Sequence, residues 1–386
     1  MPWVRNESAS DDAGIDDQAM TIERQGPQAR IEWLDYARLV CALSVLVSHY
    51  LYGGLEMAYY ESAPDFGAIE PWPIYGFLGV DCFFIISGFV ISMSVAGRTA
   101  SDFAAARFVR LYPAFLACMT LTALVFLAAG RGGAFAVDWT KWSANLIIAP
   151  RWFGEADMDP VYWTLETEIK FYLLVFIVML AGQARRLEPI MAIWLGLMVI
   201  TRLADLNLPM MGWYFPMFVL GAAIYFGTER GWTWPRMAVL LVALAMSLDV
   251  EIAPAMVPGA AVPEMKWIVG TVILLFTGLF LWLMRARPRL PHAARIGGIT
   301  YPLYLLHQMI GYIAIDALHP SIGAWPAFAV VTLAMILLAM AVNEFVERRL
   351  KGFWRAVALR LFAPIAAIER RMQLAASARK GVRPAT

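Results

Sequence analysis

Charge is scarce in this chain. Of 386 residues only 16% are Asp, Glu, Lys or Arg, while 60% are hydrophobic. Soluble domains run at about 25% charged and about 45–50% apolar, so a water-soluble globular protein is excluded. Thirty-one cations nearly cancel thirty acids, net +1, and no basic excess marks a nucleic-acid partner. Cysteine is rarer still. Cys41, Cys82 and Cys118 each fall inside an apolar run, with no disulfide framework and no zinc-type spacing; they read as small apolar packing residues. The first 30 residues lack the basic start and short apolar core of a secretory signal. They carry Glu7, Asp11, Asp12, Asp16, Asp17 and Glu23 and read as a disordered cytoplasmic tail, residues 1–30. No repeat of 20–50 residues is present, which removes the signature of a repeat-built transporter.

Long apolar runs are what the chain has. A membrane-crossing helix needs about 20 mostly apolar residues. Ten runs qualify, at roughly 34–52, 74–97, 111–130, 161–182, 189–204, 211–227, 236–250, 267–284, 299–318 and 325–346. They predict an all-α, polytopic transmembrane bundle of about ten spans in a domain of residues 31–350. Residues 351–386 follow as a basic cytoplasmic tail. Its Phe353, Trp354, Leu359, Leu361 and Phe362 alternate with Arg355, Arg360, Arg370 and Arg371, a pattern that suits a helix on the anionic inner leaflet.

Orientation follows from Lys and Arg in the connections. With the N-terminus in the cytoplasm, the inner connections, the N-terminal tail and Arg38 at the inner edge of the first span make 15 cations and the residues after 346 hold 10, making 25. The outside then holds four, Arg131, Lys141, Arg151 and Lys266, and two, Lys170 and Arg202, fall within spans, which completes the 31. Both termini are therefore expected in the cytoplasm.

Polar groups within spans are costly and mark candidate sites. Arg38 and His49 are 11 residues apart in the first span, almost three helical turns, so they share one face about 16 Å apart along the axis. Asp81 lies about 10 Å into the second span from its outer end. Arg107 and Arg110, at i and i+3 in an inner connection, share a face and can clamp a phosphate; they also serve as an ordinary inside signal. Thr164, Glu168 and Tyr172 recur every four residues as a polar stripe on the fourth span, and Lys170 is placed to pair with Glu166. Glu168 is expected in the outer half. The ninth span carries Tyr301, Tyr304, His307 and Gln308. Glu347 is expected at the inner interface beside arginines. His292 and His319 are read as loop residues.

These residues resemble the acyltransferase-3 family of integral membrane O-acyltransferases over roughly residues 31–350. The family's basic residue, ten residues, then His is met by Arg38 and His49. Its Gly-Val-Asp-x-Phe-Phe-x-x-Ser-Gly-Phe is met by Gly79 to Phe89, and its Arg-x-x-Arg by Arg107 and Arg110. Its Trp-Ser/Thr-Leu-x-x-Glu-x-x-Phe-Tyr is met from Trp163 to Tyr172, with Glu168 as the shared acid, and its Tyr-x-x-Tyr-Leu-x-His by Tyr301, Tyr304, Leu305 and His307. Two departures stand out. Ile169 occupies the place of a frequent second Glu, and Arg349 follows Glu347-Arg348 where the family commonly has Pro.

The resemblance implies transfer of an acyl group, most often acetyl, from cytosolic acyl-coenzyme A to a hydroxyl of a carbohydrate or other cell-envelope acceptor, completed within the membrane domain. It implies His49 as general base or acyl carrier, with Glu168 or Asp81 orienting the imidazole. Arg38, Arg107 and Arg110 would bind the donor's phosphates, and Trp163, Tyr172, Tyr304 and His307 would contact substrate. No metal is implied. Acyl-CoA, a carbohydrate or lipid-linked acceptor and membrane lipids are the expected partners, and a bacterial inner membrane the expected location. A transporter or flippase of small envelope precursors is the alternative from another class, since it too needs buried charges and cytoplasmic arginines.

Overall fold

A computed structural model describes residues 31–67, 69, 72–248 and 262–379. The expected N-terminal tail of residues 1–30 lies outside the described residues. Within them the chain is helical, with no strand. The helices are α1 (Glu32–Ser48), α2 (Leu78–Ser94), α3 (Ala100–Ala129), α4 (Trp139–Asn145), α5 (Tyr162–Leu180), α6 (Leu187–Leu203), α7 (Phe215–Arg230), α8 (Trp234–Leu248), α9 (Val262–Ala286), α10 (Ala293–Ile322), α11 (Ala324–Val342) and α12 (Lys351–Arg379). A helix covers each of the ten apolar runs.

Five helical stretches are long and apolar enough to cross a membrane by themselves: Glu32–Glu56, Trp72–Ser94, Ala100–Ala129, Met265–Ala286 and Ala324–Arg348. Four of the others fall short for visible reasons. Helices α6, α7 and α8 have 17, 16 and 15 residues, less than about 30 Å of hydrocarbon requires at 1.5 Å per residue. Helix α5 carries Glu166, Glu168 and Lys170 within 19 residues, the last pair joined at 2.7 Å as their spacing foretells. Outward faces remain apolar: Ile193, Leu197 and Ile200 on α6, Leu274, Leu275 and Leu279 on α9, and Val330, Leu333 and Leu337 on α11 are all exposed. Such faces belong in lipid.

The core is held by close helix crossings. Helix α2 meets α7 at Gly88 and Gly221; a Cβ at either would overlap the backbone of Phe218 or Ile85 across the contact. Small residues of this kind let backbones approach where lipid offers no hydrophobic drive. Helix α2 also packs on α1, and α10 on both α1 and α11.

Ion pairs and hydrogen bonds tie together connections that lie far apart in sequence. At one end Glu32 accepts the Leu290 N–H, Tyr36 donates to the Pro291 carbonyl, and Glu188 pairs with Arg230 and Arg236. At the other, Arg131 pairs with Glu61 and Asp316, and the N–H groups of Glu61 and Ser62 donate to Asp316.

Four local features depart from the sequence reading. The stretch at 98–110, expected as an inner connection, is helical from Ala100, where Thr99 caps the Asp102 N–H at 3.1 Å. Helix α3 thereby reaches 30 residues, about 45 Å. Its start is capped again by α12, whose Glu369 accepts the Ala100 and Ser101 N–H groups at 2.6 and 3.0 Å. His319 lies in the last turn of α10, not in a loop. π-Helical turns at His49–Gly53 and Asn343–Arg348 end α1 and α11.

Candidate active site

Helices α1, α2, α3, α5 and α10 enclose a cavity of about 120 Å³. Three arginines enter it: Arg38 from α1, and Arg107 and Arg110 from α3. The cavity thus unites the basic residue of the first span with the Arg-x-x-Arg pair. Arg38 lies 3.8 Å from Asp35. Arg110 lies 3.3 Å from Glu347, itself fixed by the Asn343 amide at 2.8 Å, so the acid expected beside arginines has one. Arg107 is packed between the rings of Phe103 and Tyr172, 5.8 and 5.9 Å from their centres, and its buried Nε has no hydrogen-bond partner among the described residues.

The polar stripe of α5 lines the same cavity through Thr164, Glu168 and Tyr172. Glu168 accepts from Ser87 of α2 at 2.5 Å and from Tyr172 at 2.6 Å. The Glu168 side chain therefore sits with the arginines, not beside His49 as expected.

His49 begins the π-helical turn of α1, a departure from α geometry that recurs at functional sites. Its Nδ1 lies 3.2 Å from the Gln308 amide nitrogen and 3.3 Å from the Tyr312 hydroxyl. An amide nitrogen only donates, so this Nδ1 accepts and the ring proton resides on Nε2. The imidazole is oriented by Gln308 and Tyr312; the expectation of Glu168 or Asp81 in that place is not met. Asp81, six residues before Ser87 on α2 and so on another face, is buried, its Oδ2 has no hydrogen-bond partner among the described residues, and it neither lines the cavity nor bonds the imidazole there. Trp163 likewise packs in an aromatic cluster with Tyr214 and Phe84, ring centres 4.8 and 6.2 Å away.

His307 faces His49 across 5.2 Å between ring centres. Its Nδ1 lies 2.7 Å from the Tyr304 carbonyl, which only accepts, so Nδ1 holds the proton. Tyr304 borders both compartments: it lines the cavity, its hydroxyl is 3.0 Å from Thr164, and its ring centre is 5.6 Å from that of His307.

Three side chains from elsewhere grip this turn of α10. Tyr50 donates to the His307 carbonyl at 2.7 Å, Tyr162 to that of Leu305 at 3.4 Å, and Asp159 accepts the Met309 N–H at 3.1 Å. Sequence reading assigned no role to Ser87, inside the Gly79–Phe89 segment, or to Gln308, next to His307, and passed over Tyr50, Asp159 and Tyr312. The signal for Ser87 was its place in the Gly79–Phe89 segment. Asp159 offered none, because its partners are backbone groups of a distant helix.

No solved structure matches the chain. Over 237 residues it is 26% identical to a protein named O-acetyl transferase from Shigella phage Sf6; the match covers 54% of this chain and 66% of that relative, just under two thirds of its length. Residues 31–344 match the family described as an acyltransferase domain. That stretch holds both compartments of the site, from Arg38 to Asn343. The chain belongs to the acyltransferase-3 family.

Proposed function

We propose that the protein is an integral membrane O-acyltransferase that moves an acyl group, acetyl above all, from cytosolic acyl-CoA to a hydroxyl of a carbohydrate or other cell-envelope acceptor. The observation that carries this is the convergence of Arg38, Arg107 and Arg110 on one cavity that Tyr304 separates from His49 and His307. Guanidinium groups bind phosphate through charge-assisted, bidentate bonds, and imidazole does acid–base and acyl chemistry near neutral pH. The relative named O-acetyl transferase supports the same reading.

In this scheme ten spans cross a bacterial inner membrane with both termini in the cytoplasm, and α12 rests at the inner leaflet. The arginines face the donor. At about 120 Å³ the cavity is below the ~300–1,000 Å³ usual for drug-sized ligands. It therefore receives the reactive end of the donor, while the nucleotide stays at the mouth. Glu168, locked by Ser87 and Tyr172, holds the arginine side of the cavity in shape. His49 acts through Nε2, its Nδ1 being engaged. A flippase would also use buried arginines, but it has no use for two facing imidazoles.

The test has two arms. Calorimetric titration of the purified protein with coenzyme A should give saturable binding. Mass spectrometry of envelope glycans from cells with and without the protein should reveal acyl groups present only in the former. Saturable binding with no acyl difference would leave the acceptor assignment without support, and absent binding would sink the enzyme reading.

A further inference from the structure

His307 is fully buried, and its Nε2 meets no hydrogen-bond partner among the described residues. Leaving a buried polar atom unmatched costs about 1–3 kcal/mol, so such atoms call for an explanation. The tautomer makes this one specific. Nδ1 carries the proton and donates it to the Tyr304 carbonyl at 2.7 Å. Nε2 is therefore a bare lone pair, held in place by the Tyr50 and Asp159 grips on the same turn. His49 presents the opposite tautomer, a protonated Nε2, 5.2 Å away between ring centres. One imidazole offers a base and its neighbour offers a hydrogen-bond donor.

We infer that His307 is the general base that takes the proton of the acceptor hydroxyl, and that His49 donates to the acyl carbonyl oxygen. This rests on the acyltransferase reading and sharpens it, because the family resemblance implied His49 as general base or acyl carrier. The acceptor O–H donates to Nε2 of His307. As its oxygen bonds to the carbonyl carbon, the proton passes to Nε2, and Nδ1–H still donates to the Tyr304 carbonyl. The carbonyl oxygen, now negative, receives the Nε2–H of His49, the arrangement that stabilises such oxyanions. When the intermediate collapses, the carbon–sulfur bond breaks. The leaving thiolate then takes the proton from His307. An ester and a free thiol result, and both imidazoles return to their starting tautomers. Tyr304, against His307 and in the cavity wall, marks the passage by which the thioester arrives.

The test uses the full-length protein in lipid nanodiscs and release of free coenzyme A from acetyl-CoA, with two acceptors. Water must lose a proton to attack. Hydroxylamine is already a strong neutral nucleophile and has little need of a base. In His307→Asn, which keeps the donor to the Tyr304 carbonyl, and in His307→Gln, the water-dependent rate should fall by about 10²–10⁴. The hydroxylamine-dependent rate should be largely kept, so that the ratio of the two rises at least about tenfold, with acetyl-CoA affinity unchanged. Parallel loss of both rates in folded protein would make His307 a structural residue and overturn the inference. So would full water-dependent activity in either variant. Both results leave the acyltransferase reading standing. Wild-type protein that releases no coenzyme A with either acceptor would instead overturn that reading and this inference with it.

Discussion

Asp159 sits fully buried just before α5, with its oxygens on the Val161 and Met309 N–H groups, both at 3.1 Å. Burial pushes its carboxyl up to about 7, against the two N–H bonds that pull it down. Its folded value therefore lies above the unfolded 3.8. Between those values the folded chain holds the extra proton, so stability falls as pH rises through that window. Melting temperatures of the detergent-solubilised protein should accordingly drop between about pH 4 and pH 7. Asp159→Asn should flatten that slope, and an unchanged slope would assign it to another group. His49→Ala should cost about 10²–10³ in transfer, as loss of an oxyanion donor does, without altering size-exclusion behaviour; near-normal turnover would remove His49 from the reaction. Arg107→Ala with Arg110→Ala should weaken coenzyme A binding, read by titration, and unchanged affinity would return both residues to a topological role. Legibility in the sequence tracks how local the signal is. Arg38, Arg107, Arg110, Glu168 and Tyr304 were legible because spacing along single helices sets their faces, and they do line one cavity. The partners of His49 were not, since Gln308 and Tyr312 stand 259 and 263 residues away in sequence. Asp81 misled because a buried carboxylate looks the same in sequence whether it faces a site or only the bundle.

Helices read well as elements because hydropathy decides them, yet their ends read badly. The ten runs fell on ten helices, but the extension of α3 back to Ala100 replaces what apolarity alone marked as a connection. Residues 100–110 are too polar to belong to a span, and they are helical because Thr99 and the α12 residue Glu369 cap them. That cap ties α12 to the arginine cavity, since Arg107 and Arg110 ride on the segment it holds. Glu369→Ala should cost about 0.5–2 kcal/mol, the usual range for a lost cap, seen as a lower melting temperature together with weaker coenzyme A binding. Lower melting with unchanged affinity would separate α12 from the donor site. The crossing of α2 and α7 permits a harsher test. Leucine at Gly88 would have to push into the Phe218 backbone, where overpacking typically costs about 1–3 kcal/mol or more. Gly88→Leu should therefore lose folded yield, whereas Gly196→Leu, on α6 where a Cβ meets nothing within 4 Å, should not. The two π-helical turns had no legible signal at all, because nothing in residue periodicity separates a π turn from an α turn over five or six residues.

Across the whole molecule, two independent features bear on which end faces the cytoplasm. One is the division of cations, 25 against 4, which by the positive-inside rule puts the ends bearing Arg98, Arg185, Arg230 and Arg289 in the cytoplasm. The other is how three of the four sparse-side cations are used. Arg131 is spent on Glu61 and Asp316, Arg151 on Asp157 at 2.9 Å, and Lys141 on the carbonyls of Ala134 and Ala136 at 3.3 and 3.0 Å. Cations so engaged leave little free charge to hold that face inside. Trp139 and Trp152, exposed on the same face, suit the outer membrane–water boundary. All three native cysteines are buried, so a single introduced cysteine can report alone. Asp102 and Ser143 are exposed and lie on opposite sides of α3. With a membrane-impermeant maleimide on intact cells, Ser143→Cys should label and Asp102→Cys should label only after the membrane is opened. The reverse pattern would invert the molecule and put the arginine cavity out of reach of cytosolic acyl-CoA. Labelling of both positions in intact cells would mean an even number of crossings between them where the ten-span scheme has one, and would break that count.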